Sequence, residues 1–125
     1  MKHILFSVLF ILSSSAFAND AKNEWHRTSL SESTIKKIQQ AQFTYKKCVT
    51  DEMQKEGYLK IESRSATDAI IKQCEKVLSD MRTVYLDAEV PEVIADRHLR
   101  KMRITITRRV LKQLMFAEAA NKAGL

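Results

Sequence analysis

Two glycines, Gly57 and Gly124, and a single proline, Pro91, are all the Gly and Pro that this 125-residue chain contains. So few turn-formers cannot serve the many tight reversals of a β-sandwich of about 100 residues, and a (β/α)8 barrel needs about 250 residues. Hydrophobic residues make up 45% of the chain, close to the globular average of about 45–50%, which argues against disorder. What remains is a small all-α protein with long helices and few connections.

The first eighteen residues read as an export signal. Lys2 and His3 give a basic start, Ile4 to Leu12 is apolar except for Ser7, and Ala16-Phe17-Ala18 has the A-x-A form of a cleavage site. The apolar run is too short to cross about 30 Å of hydrocarbon. The sequence therefore predicts a cleavable signal peptide over 1–18, cut after Ala18, and a periplasmic location in a bacterial envelope. Residues 19–28 are polar apart from Ala21 and Trp25 and are expected to form a flexible arm, with Trp25 tucked onto the domain. Residues 29–125 are expected to form one helical domain.

Cys48 and Cys74 are the only cysteines, and in an oxidising compartment they are expected to pair. The histidines His26 and His98 stand at no spacing that would complete a zinc site, so neither metal nor cofactor is expected. On the chain-entropy model a bridge closing a loop of this length stabilises by roughly 3.5 kcal/mol.

Helical spacing recurs three times. Ser29-x-x-Glu32 has the form of a capping box, followed by a stripe of Ile35, Ile38, Tyr45, Val49 and Met53 flanked by Ala41 and Cys48, with Gly57 as terminator. Phe43 falls off this stripe. Ser65-x-x-Asp68 repeats the start signal, and Ala66, Ile70, Cys74, Val77, Met81, Tyr85 and Ala88 follow at intervals of three and four. The third helix is expected from Pro91 to about Lys122, with Leu99, Met102, Ile106, Val110, Leu114 and Ala117 on one face. Ile104-Thr105-Ile106-Thr107 alternates like a strand, but the helical spacing on both sides prevails.

The cysteines also set a register. If the first two helices form an antiparallel hairpin, facing residue numbers add to 122, the total for Cys48 and Cys74. Tyr45 then faces Val77, Ile38 faces Val84 and Met53 faces Ala69, each pair involving the predicted stripes. The expected fold is thus a disulfide-linked antiparallel helical hairpin plus a long basic C-terminal helix.

The basic character is local. Residues 19–96 hold 12 Lys and Arg against 14 Asp and Glu, while residues 97–125 hold 8 against 1. Arg97, Lys101, Arg108 and Lys112 fall within about 60° on a helical projection, a basic ridge opposite the core stripe. Ile104, Leu111 and Met115 share that side, so the third helix is apolar on two faces. Either this helix is central, or the second face is a contact site.

No catalytic constellation is apparent. Asp87, Glu89, Glu92 and Asp96 lack calcium-loop spacing and suit the positive end of a helix dipole. His98 has no serine or cysteine nucleophile near it, and two glycines make no phosphate loop. The expected function is non-catalytic: a periplasmic interaction protein, an accessory subunit or chaperone-like adaptor. Arg97, Lys101, Arg108 and Lys112 would steer its partner, and Ile104, Leu111 and Met115 would anchor it. The partner would be another envelope protein or a second copy; the alternative is anionic lipid or envelope polymer. Nucleic acid is not expected, because no aromatic residue interrupts the ridge before Phe116 and the compartment is wrong.

Overall fold

The computed structural model describes residues 30–125, and these form four α-helices and one short 3-10 helix. Helix α1 spans Glu32–Met53, and a 3-10 turn over Glu56–Lys60 leads to α2, Ser63–Gln73. Helix α3 covers Glu75–Asp87, and α4 runs Glu92–Lys122. The predicted signal peptide, the N-terminal arm with Trp25, and Ser29 lie outside the described residues.

The all-α expectation holds, with one change: the second predicted helix is two. Cys74 separates α2 from α3, with φ −97° and ψ 4°, and its N–H donates to Ile71 O at 3.2 Å, three residues back. Neither Gly nor Pro marks the joint. The cause is packing. Helix α2 lies mainly against α4, whereas α3 lies mainly against α1 and also touches α4. The 63–87 segment is therefore the middle of the molecule, with α1 and α4 on its sides.

Helix starts also differ from expectation. The N-cap of α1 is Ser31, not Ser29, and its Oγ accepts from Thr34 N–H at 3.2 Å. With Ser31 as cap, Leu30 and Ile35 hold the spacing of a hydrophobic staple. The N-cap of α2 is Glu62, not Ser65; its carboxylate accepts from the N–H groups of Arg64 and Ser65, both at 3.0 Å. Gly57 does not end α1, which stops at Met53, but sits inside the 3-10 turn. Pro91 caps α4, where its fixed φ and missing N–H cost nothing. Gly124 follows α4 at φ 71°, a left-handed position that glycine takes without strain.

The core joins all four helices. Tyr45 and Val49 of α1, Ala66, Ile70 and Ile71 of α2, Leu78, Met81 and Tyr85 of α3, and Leu99, Ile106, Val110 and Leu114 of α4 are buried around Cys74. Ile71, Thr67 and Leu78 lie off the predicted stripe because the joint at Cys74 lets α2 and α3 face different neighbours. The hydroxyl of Thr67 donates to Ser63 O at 2.7 Å, which satisfies it in the buried first turn of α2.

The bridge is formed, with Cys48 and Cys74 Cα atoms 5.9 Å apart. Between α1 and α3, Ala41 and Met81 line one depression and Thr34 and Ala88 another, pairs whose numbers add to 122 as the predicted register requires. Beyond the bridge, Met53 shares a gap with Ile106 and Val110 of α4.

Candidate functional site: the outer face of α4

Helix α4 buries one face and leaves the other bare. Leu99, Ile106, Val110 and Leu114 point inward, while Arg97, Lys101, Arg108 and Lys112 are exposed. Helix α4 packs against α2 and α3, and its opposite face is not covered by another helix of the described residues, since Ile104, Met115 and Phe116 on it are exposed. Ile104 and Met115 are 42% and 50% exposed, and Leu111 is half-buried.

Phe116 belongs to the same surface, and reading the sequence did not place it there. Phe116 is 66% exposed, and Lys112 Nζ stands 5.9 Å from the ring centroid, within cation–π range. Arg108, Leu111, Lys112, Met115, Phe116 and Ala119 together line a shallow groove. The signal that could have found Phe116 is its i, i+4 spacing from Lys112.

Of the eight cations of α4, Arg103 and Lys122 enter ion pairs and the other six enter none of those found among the described residues. Arg103 reaches α3, with Nε donating to Glu75 Oε2 at 3.2 Å, so it ties the fold together. Arg109 faces the α1 side, sharing a gap with Lys46 and Thr50. Arg97, Lys101, Arg108 and Lys112 enter none of the ion pairs found among the described residues. The ridge is thus a set of uncompensated charges beside apolar side chains, a source of positive potential that draws anionic groups.

The acidic cluster before α4 has a structural role beyond the dipole. Arg82 of α3 donates from Nε to Asp96 Oδ1 at 2.6 Å and from a terminal nitrogen to Glu92. These bonds hold the Asp96 carboxyl below the usual carboxylate range and raise the Arg82 guanidinium. They also fix the α3–α4 turn, where Glu89 sits at φ 60°. His98 is exposed and meets Tyr85 edge-on, with ring centroids 6.2 Å apart. No group of three or more His, Cys, Asp or Glu side chains capable of holding a metal ion occurs among the described residues. No helix among them is long and apolar enough to cross a membrane.

No known family pattern matches this chain, and no curated protein or solved structure matches it either. The fold alone defines its class: an all-α protein whose first helix is bridged to a joint in its second helical segment.

Proposed function

We propose that this is a non-catalytic, exported docking protein that binds an anionic partner protein through the outer face of α4. The observation that carries the reading is the coexistence on one helical face of four cations without ion-pair partners and of exposed Ile104, Met115 and Phe116. Long-range attraction by Arg97, Lys101, Arg108 and Lys112 speeds encounter, and desolvation of Ile104, Leu111, Met115 and Phe116 holds the complex. A second copy is disfavoured as the partner on this face, because two such ridges would repel.

Binding to anionic lipid or envelope polymer is the second reading, supported by the same mixture of cations and apolar side chains on a surface helix. Two variants test the surface, and a vesicle assay separates the readings. Leu111→Asp with Met115→Asp removes the anchor, and Arg108→Gln with Lys112→Gln weakens the steering. A partner recovered by cross-linking in the periplasm should be lost from both variants while helical content is unchanged. Persistence of the complex in both would overturn the docking reading. Co-sedimentation with vesicles containing anionic phospholipid at low salt, lost as salt rises, would instead favour the lipid reading.

A further inference from the structure

The outer face of α4 carries a regular spacing. Arg97, Lys101, Ile104, Arg108, Leu111 and Met115 follow one another at intervals of four, three, four, three and four. That alternation averages about 3.5 residues, the repeat of a helix that supercoils with a second helix. Five of the six side chains are exposed and Leu111 is half-buried, so the row lies away from the core. Neither Gly nor Pro falls within Glu92–Lys122, and the row runs unbroken for about 27 Å at about 1.5 Å per residue.

The groove at the C-terminal end of the row has matching geometry. Its volume is about 420 Å3. Arg108, Leu111, Lys112 and Met115 stand at i, i+3, i+4 and i+7, and Lys112, Met115, Phe116 and Ala119 repeat that pattern one turn on. Four side chains so spaced frame the hole that receives one knob of a facing helix. The groove is therefore two successive holes, and exposed Met115 and Phe116 leave them open to solvent.

Toward the start of α4 the row changes character. Arg97, Lys101 and Arg108 lie on either side of Ile104, and none of the three enters an ion pair among the described residues. Covered by an apolar surface, each would lose its hydration without gaining a partner. Opposite a carboxylate, the same burial gives a charge-assisted hydrogen bond.

We propose that the anionic partner presents an amphipathic α-helix to this face. Two of its apolar side chains, one turn apart, enter the holes framed by Arg108 to Ala119, and carboxylates further along the same side meet Arg97, Lys101 and Arg108. The inference rests on the docking reading and specifies the partner's chemistry. A second copy lacks that chemistry. Two α4 helices aligned in parallel set Lys101 on Lys101 and Arg108 on Arg108. An antiparallel pair centred on the row sets Lys101 against Leu111 and Arg108 against Ile104, and no carboxylate faces a cation in either arrangement.

Two synthetic three-heptad peptides of identical leucine, glutamate and alanine composition test the inference on the full chain. One gathers its leucines and glutamates on a single helical face, leucines in one half and glutamates in the other; the second shuffles them so that no such face forms. In calorimetric titration the first should bind roughly tenfold more tightly, and its helical circular dichroism should rise on mixing. Arg108→Gln should weaken that binding roughly tenfold, and Arg109→Gln by less than about twofold. The two arginines are neighbours outside every ion pair found among the described residues, and only Arg108 belongs to the row. Equal affinity for the two peptides, or equal losses from the two variants, would overturn the helical partner and leave the docking reading standing on charge alone. Binding of neither peptide would also overturn it, and recovery of the cross-linked partner then judges the docking reading separately.

Discussion

Glu118, near the end of α4, accepts a hydrogen bond at 3.3 Å from the backbone N–H of Ser63, the first residue of α2. A carboxylate fifty-five positions away thus satisfies an N–H that the helix itself leaves free. Lys122 donates to the same carboxylate at 2.8 Å. Together these partners, Lys122 first, hold the Glu118 carboxyl down at about 2.

This contact sets an acid limit on stability. A carboxyl whose folded value lies below its unfolded value of about 4.3 contributes fully above that value, and the contribution disappears as pH falls through the folded one. Glu62, lowered by the N–H groups of Arg64 and Ser65, and Asp96, lowered by Arg82, add in the same direction. The urea midpoint should therefore be level near neutrality and fall between about pH 5 and pH 2. Glu118→Gln should make that fall shallower; an unchanged profile would remove Glu118 from the account.

The bridge should matter more than any single side chain. Replacing both Cys48 and Cys74 by alanine is expected to lower stability by about 3.5 kcal/mol on the chain-entropy model. Equilibrium urea unfolding measures it, and a loss below about 1 kcal/mol would show that the unfolded chain is hardly constrained by the link.

Tyr45 is completely buried, and its hydroxyl has no hydrogen-bond partner among the protein atoms described. Burial also pushes the phenol upward. An unpaired buried hydroxyl costs about 1–3 kcal/mol, so Tyr45→Phe should raise the thermal midpoint rather than lower it. A clear drop would mean that the hydroxyl is bonded in solution, for instance to a buried water.

The two faces of α4 should respond unequally to truncation. Leu114 is 5% exposed, and Leu114→Ala should cost about 2–5 kcal/mol. Met115→Ala, one residue on and half exposed, should stay within about 0.5 kcal/mol. Paired thermal melts of the two variants check this; equal losses would mean that the outer face is covered in the isolated protein.

Much of this architecture is legible in the residues themselves. Spacings of three and four residues located the helices because helix geometry is local, and the core faces of α1, α3 and α4 follow from it. Cap positions are less legible. Leu30 is bracketed by Ser29 and Ser31, and either serine can cap, so the choice depends on where the backbone turns extended. Glu62 is the cap in place of Ser65 because its carboxylate reaches forward to two free N–H groups of the first turn. Of the α4 surface, the ridge and Ile104, Leu111 and Met115 could be read from a helical projection. Phe116 was less legible: at 80° from Arg108 it falls between the two faces, and only its i, i+4 spacing from Lys112 points to the one it joins.

By itself, then, the sequence determined the all-α class, the pairing of its two cysteines, the register of α1 against α3, and a third helix with one basic side. Each of these rests on periodicity, or on the redox chemistry of a cysteine pair. Tertiary structure alone decided the break at Cys74, the central position of the 63–87 segment, and the exposure of the outer face of α4. No local signal encodes them: the apolar stripe runs through Cys74 without interruption, and the helix bends there because α2 gains most by packing on α4 while α3 is held against α1.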